Sequence, residues 1–472
     1  MRFKTATLGC KVNQYETQWL RSAFVLNGWE DADEPGANIS DVDVDLVVIN
    51  TCSVTAESDA KSRKTIAHFA KSCPNAEIVV IGCYAASDPD RVAALPNVGQ
   101  VVPDKRRLPE FLRSRGLEHI PKGVGRLLER RRAYVKIQDG CRVGCAYCII
   151  PSTRPYLESR TSSDVLNEAR TLAENGYREI VLTGIHLGHY GLDLYPPTRQ
   201  ELEEARAGGY EPGSRPMTLG QYLARQSVVP ENERFGLAEL LEQLAALRLP
   251  KTRYRLGSLE AIEVSDKMID VIGGNPESMC PHFHLSMQSG DDAVLRSMRR
   301  RWLSGPYIEK CREICARIPD AALTTDIIVG FPGETDAQFE RTLDVVREVG
   351  FSRVHAFRFS ARPGTLAATA PCQIPPEVKK ERAARLGAVA KEEREKYARR
   401  FIGREARVVI EQVDRRNGES TVARGTTDRY YEVEIPTTDH VEIECGDVVN
   451  VRLTGLAGDV FTGERVTAEQ RA

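Results

Sequence analysis

The stretch Gly140-Cys141-Arg142-Val143-Gly144-Cys145-Ala146-Tyr147-Cys148 constrains this chain more than any other. Its three cysteines, at spacings of four and three, can close on a single inorganic cluster. Protein 4Fe–4S clusters are normally held by four thiolates, so a loop that supplies three leaves one iron open to an outside ligand. The competing readings are a zinc knuckle or buried free thiols. Zinc usually takes a fourth Cys or His at a regular spacing, and none follows in Ile149 to Arg160. The loop therefore reads as a reactive iron–sulfur site.

Three strand-like runs precede it, at Arg2–Leu8, Asp45–Asn50 and Glu77–Ile81. Helical patterns separate them, among them Gln14–Leu26 and Ser58–Ser72. This alternation predicts a parallel, doubly wound α/β sheet. Each run is followed by a cysteine: Cys10, Cys52 and Cys83. Ligands gather beyond the carboxyl ends of strands in open α/β sheets, so the three should meet at one edge. A single strand-end cysteine would read as core. Three of three, each beside Gly or Thr, read as a second three-thiolate cluster. Cys73, Cys280, Cys311, Cys315, Cys372 and Cys445 lack such a setting and read as packing residues.

Six further strand candidates lie between residues 134 and 360: Tyr134–Gln138, Glu179–Thr183, Arg253–Gly257, His282–Met287, Leu323–Val329 and Arg353–Phe359. Six β/α units are too few for an eight-stranded barrel. Leu192 to Phe235 interrupts them with Pro/Gly turn signals and high charge, and reads as an insertion without a functional account. Glu377–Arg400 reads as a solvated connector helix. Five short strands follow (Arg407–Glu411, Thr421–Arg424, Tyr430–Ile435, Asp447–Thr454 and Phe461–Glu464), which suggests a small closed β-barrel.

The Cys-x3-Cys-x2-Cys triad resembles the signature of radical S-adenosylmethionine (SAM) enzymes. Tyr134-Val135-Lys136-Ile137-Gln138-Asp139-Gly140 before it and Ile149-Ile150-Pro151 after it resemble the methylthiotransferase branch. Leu8-Gly9-Cys10, Asn50-Thr51-Cys52 and Ile81-Gly82-Cys83 are similar to that family's N-terminal ligand motifs. The resemblance implies an α/β protein in three parts. Residues 1–118 would be the doubly wound cluster domain, 119–400 a partial (β/α)6 barrel with its insertion at about 192–235, and 402–470 a TRAM β-barrel that binds RNA. It also implies two 4Fe–4S clusters and SAM as cofactors. SAM would be cleaved to a radical at the Cys141/Cys145/Cys148 cluster, while the Cys10/Cys52/Cys83 cluster would carry the sulfur. Thr183 and Gly184, Gln288 in the fourth-strand motif and Asp326 in the fifth would contact SAM at the carboxyl-terminal rim.

Ile185-His186-Leu187, after Thr183-Gly184, resembles the branch acting on threonylcarbamoyladenosine beside the anticodon. Alternatives are isopentenyladenosine in tRNA, a ribosomal-protein aspartate, or a non-catalytic iron–sulfur RNA-binding protein. His186 would either touch substrate or cap its loop.

Composition narrows the partners. Twelve cysteines without an apolar leader argue for a reducing cytoplasm and metal ligation, and no run of about 18 apolar residues suggests a membrane span. A net charge of −2 carries no general nucleic-acid signature. The tRNA partner must therefore be met locally. Two places offer themselves: Asp104 to Lys136, with eleven Lys/Arg against four Asp/Glu, and Arg404, Arg407, Arg415, Arg416, Arg424 and Arg429 of the last barrel. A flavodoxin- or ferredoxin-type electron donor and a monomeric state complete the expectation.

Overall fold

A computed structural model describes residues 1–466 except 35, 36, 38, 128–130, 209–216, 231, 232, 417–419 and 438–442. Strands β1 (Arg2–Thr7), β2 (Glu30–Asp31), β3 (Leu46–Thr51), β4 (Glu77–Gly82) and β5 (Val98–Val102) form one parallel sheet, ordered β2-β1-β3-β4-β5. The near-continuous Val/Ile runs of β3 and β4 are explained by burial on both faces. Leu46, Val48 and Val79 pack on one side, and Val47, Ile49 and Val80 on the other. Helix Lys11–Leu26 begins directly after Cys10, three residues before the sequence pattern suggests. Its first turn, Lys11 to Gln14, holds a single apolar residue, Val12, so apolar periodicity misses it.

The second part runs through β6 (Arg132–Asp139), β7 (Glu158–Ser159), β8 (Glu179–Gly184), β9 (Arg253–Leu256), β10 (Ser258–Leu259), β11 (His282–Leu285), β12 (Ala322–Val329) and β13 (Arg353–Arg358). Two sheets result, β7-β6-β8-β9 and β10-β11-β12-β13. Strands β9 and β10 follow one path broken at Gly257, whose N–H donates to the Leu182 carbonyl at 2.9 Å. Six parallel positions thus make an incomplete barrel, with β13 as one edge. Tyr15 of helix Lys11–Leu26 joins the barrel core, so the N-terminal domain is packed against it.

The last part, β14 (Glu405–Arg416), β15 (Ser420–Thr427), β16 (Glu432–Thr437), β17 (Val448–Ala457) and β18 (Val460–Arg465), closes into a barrel in the order β14-β15-β16-β18-β17. It docks under the amino-terminal ends of the central strands. Arg253 and Arg255 donate to the carbonyls of Arg407, Thr426, Thr427 and Asp428 at 2.8–2.9 Å. Both also bond to Glu179 at the foot of β8.

Three expectations change. Helix Pro376–Arg399 is no solvated connector: it buries Leu386, Val389 and Tyr397, and its Arg382 is paired at 2.7 Å with buried Glu334. The described arginines of the last barrel are held internally. Arg404 pairs with Asp320 and Arg407 with Glu277, both at 2.7 Å, and Arg424 sits between Asp414 and Glu434, each at 2.8 Å. Arg429 donates to the Asp320 carbonyl at 3.0 Å. The side chains of Arg415 and Arg416 lie outside the described residues. The basic stretch 104–136 divides: Lys105, Arg132 and Lys136 are bound to buried carboxylates, whereas Arg106, Arg107, Arg113, Lys122, Arg126 and Arg131 are exposed. Among the described residues, no helix is long and apolar enough to cross a membrane.

Candidate active site

Strand β6 delivers the cysteine loop to the carboxyl-terminal rim. Gly140 turns the chain at φ +77°, where a Cβ would lie 1.8 Å from the Tyr156 carbonyl oxygen, so no other residue fits. Two cationic donors reach the thiols: Arg300 Nη1 lies 3.1 Å from Cys145 Sγ, and His186 Nδ1 lies 3.6 Å from Cys141 Sγ. Each is backed by a buried carboxylate. Arg300 pairs with Glu260 at 3.0 Å and His186 Nε2 with Glu263 at 2.6 Å. Arg301 bridges the two carboxylates. Burial opposes charge on His186, but Glu263 and the Cys141 thiol carry its pKa up to about 10. Burial and the charge of stacked His186 push His189 down to about 3. The insertion also touches this loop: Arg142 Nε donates to the Met217 carbonyl at 2.9 Å.

The strand-end cysteines converge by a different route. Gly9 (φ +95°) has no room for a Cβ, which would stand 2.8 Å from Cys52 Sγ. Asn13 Nδ2 donates to the carbonyls of Leu8 and Thr51, at 2.8 and 3.1 Å, and so ties the loops of Cys10 and Cys52 together. Burial raises the Cys52 pKa, and the charges of Cys83 and Cys10 raise it further.

A buried ionic network joins the two triads. Arg154, almost fully buried, donates to Glu16 (2.9 Å) and Asn13 (3.2 Å) of the N-terminal helix and pairs with Asp139 just before the cysteine loop. Lys105 and Lys136 also bind Glu16. Although burial favours the neutral form, these three cations hold the Glu16 carboxyl well below the usual carboxylate range. Arg362 makes a second tie, donating to Ser53 Oγ at 2.9 Å and pairing with Asp59 at 2.6 Å.

Beside the loop triad lies a cavity of about 400 Å³. Cys141, Cys145 and Cys148 line one side and Val54 and Thr55, just after Cys52, another. Gln288 and Asp326 line it as well. The Gln288 N–H donates to the Asp326 carbonyl at 2.8 Å, and Asp326 Oδ2 lies 3.1 Å from His284 Nε2. Thr183 and Gly184 are set back from it: Thr183 is buried, and Gly184 packs on Gln138. Ile185 and His186 form the wall on that side. Sequence reasoning missed Glu260, Glu263, Arg300 and Arg154, whose only local signal is their charge.

Both triads suit an iron–sulfur group. Their thiols are free and crowded. Burial first, then Cys145 and Cys141, push the Cys148 pKa up to about 12, so several thiolates side by side require a bound cation.

Residues 135–346 match the family model described as the radical SAM superfamily, and residues 2–103 match one described as uncharacterized protein family UPF0004. The threonylcarbamoyladenosine tRNA methylthiotransferase MtaB of Bacillus subtilis is 32% identical over 464 residues, covering 95% of this chain and 92% of the relative. The chain belongs to the radical SAM methylthiotransferase family. The MtaB of Thermotoga maritima is 34% identical, with 86% of this chain and 85% of the relative covered. A tRNA-2-methylthio-N(6)-dimethylallyladenosine synthase of Mycobacteroides abscessus is 31% identical over 96% of this chain and 86% of its own. Among solved structures, the radical SAM methyltransferase TsrM from Kitasatospora setae superposes with a TM-score of 0.52 at 13% identity, covering 78% of this chain and 77% of that one. That likeness concerns the fold alone. As a radical SAM methylthiotransferase, the chain is an enzyme that transfers sulfur-containing groups and uses SAM and 4Fe–4S clusters.

Proposed function

We propose that this methylthiotransferase acts on threonylcarbamoyladenosine in tRNA, adding a methylthio group at carbon 2 of the adenine. Cys141, Cys145 and Cys148 would hold one cluster and Cys10, Cys52 and Cys83 the other. When bound, the clusters supply the electron that cleaves SAM and the sulfur that is transferred. Gln288 and Asp326 would orient SAM across the cavity, with Thr183 and Gly184 acting from behind through Gln138. A flavodoxin- or ferredoxin-type protein would deliver the electron. The protein's own work is to exclude water with Ile328, Phe357 and Phe359 and to hold the adenine between the two triads.

One observation carries the choice of nucleoside. Three cationic side chains line the cavity: His186, matched by Glu263; Arg300, matched by Glu260; and Arg358. Arg358 is exposed and has no partner among the described residues. With SAM held at the loop triad, Arg358 would remain for an anion on the substrate. Threonylcarbamoyl brings a carboxylate; isopentenyl brings none and would leave Arg358 facing nothing. Hydrogen bonds to charged groups contribute about 1.5–3 kcal/mol, so Arg358→Gln should lower kcat/KM on threonylcarbamoyladenosine tRNA about tenfold to a hundredfold. Arg358→Lys should recover part of that loss. In a deletion strain, mass spectrometry of digested tRNA should show loss of the methylthio-threonylcarbamoyl nucleoside. Loss of the isopentenyl product instead would overturn the choice.

A further inference from the structure

A groove of about 690 Å³ runs along the outer side of strand β13, outside the site described above. Its walls are β13, the middle of helix Pro376–Arg399 and the β17–β18 turn at Gly458 and Asp459. Strand β13 is the edge of its sheet, and its burial falls from half-buried at Arg353 to exposed at Phe357. The floor is cut by small residues, Ala356, Gly387 and Ala390; at Gly387 a Cβ would meet nothing within 4 Å. Glycine inside a helix costs about 1 kcal/mol relative to alanine, and here it keeps the channel open.

The charges are one-sided. Arg353 and Lys391 line the groove without a partner among the described residues. Arg394 is taken up by Asp459 at 2.9 Å, and that pair pins the small barrel's turn against the helix. Asp459 is the sole carboxylate on the groove wall among the described residues, and it is already matched. Burial drives the His355 pKa down to about 4, leaving it neutral at pH 7.

The two ends of the groove give it direction. At the foot it reaches the C-terminal barrel; at the rim Phe357, 47% exposed, lines both this groove and the active cavity. Arg353 and Phe357 are four residues apart on a strand, roughly 13 Å.

We infer that this groove is the track of a single RNA strand, with Arg353 and Lys391 on its phosphates and Phe357 as a stacking platform at the cavity mouth. The partner class follows from the pattern: unmatched cations along a channel, closed by an exposed aromatic ring, are what a flexible polyanion with planar bases fits. The inference rests on the tRNA reading above. It explains how the C-terminal barrel, docked at the far end of the central strands with its described arginines engaged, serves a site at the opposite rim.

The test uses full-length holoprotein and tRNA from the deletion strain, with affinity measured by fluorescence anisotropy across a salt series. Iron content checks that each variant folds. Arg353→Gln and Lys391→Gln should each flatten the log–log salt slope by about 0.7. The double charge reversal to Glu should weaken binding at least tenfold. Phe357→Ala should weaken it roughly fivefold to a hundredfold without changing the slope. Wild-type affinity and slope in the Gln and Glu variants, with methylthio product still formed, would overturn the groove and leave the substrate reading intact. Wild-type protein that binds no tRNA would overturn both.

Discussion

The two cysteine triads solve the same problem in opposite ways. Cys141, Cys145 and Cys148 are local: one loop at the end of one strand carries all three, and Gly140 and Gly144 shape its turns. Cys10, Cys52 and Cys83 come from three strand ends far apart in the sequence and meet only because the sheet order β1-β3-β4 makes those strands neighbours. Their surroundings differ too. The loop triad faces two charge-backed N–H donors, His186 and Arg300. The strand-end triad adjoins the seam that links it to the loop triad, where three cations, Arg154, Lys105 and Lys136, outnumber two carboxylates, Glu16 and Asp139. A local site can be tuned by its own loop and wall, whereas an assembled one depends on the whole domain being held in place.

The largest expected effect tests that dependence. Arg154→Ala leaves Glu16 and Asp139 buried with less compensation, which typically costs about 3–5 kcal/mol. Chemical denaturation should show that loss, and iron should fall at the strand-end triad more than at the loop triad. Equal loss at both would erase the contrast.

A smaller effect concerns the small barrel. The Glu179 pKa is lowered: burial opposes ionisation, but Arg255 and Arg253 outweigh it. A depressed carboxyl contributes stability that is fully present above the unfolded value of about 4.3 and is lost as pH falls through the folded value. Limited proteolysis at the junction near Gly403 should therefore find the barrel still docked at pH 5. In Glu179→Gln the junction should be cut already at pH 7, because Arg253 and Arg255 lose their anion. Identical cutting of both proteins at pH 7 would mean that the carbonyl contacts alone suffice.

The smallest effect sharpens the comparison most finely. Gly9 and Gly144 both have positive φ, +95° and +76°, but a Cβ at Gly9 would strike Cys52 while one at Gly144 meets nothing within 4 Å. Gly144→Ala should cost only backbone strain, about 1 kcal/mol, and keep its iron. Gly9→Ala should cost more and lose iron from the strand-end triad. Matching behaviour would show that backbone strain, not contact with Cys52, sets the cost.

Much of the fold was legible because its signals are local. Val/Ile runs followed by cysteine marked β3 and β4. What stayed hidden was non-local. Nothing near Arg154 says that it reaches Glu16, 138 positions earlier. Arg404, Arg407 and Arg429 of the last barrel read as an RNA face because their partners, Asp320 and Glu277, lie on another domain. Nothing near Glu260 and Glu263 says that Arg300, Arg301 and His186 stand against them. Charge in a sequence gives sign and amount; only the fold says whether it is already matched.

The central claim is that both triads are needed, that they do different work and that they serve one cavity. Its most direct test is Cys52→Ala in the anaerobically reconstituted enzyme, assayed together for 5′-deoxyadenosine and for the methylthio nucleoside. Wild-type protein should take up about eight irons, four per cubane, and the variant should keep the iron at Cys141, Cys145 and Cys148. The account predicts that Cys52→Ala still forms 5′-deoxyadenosine and makes no methylthio product. Methylthio product at the wild-type rate, or loss of 5′-deoxyadenosine formation while the loop triad keeps its iron, would contradict it.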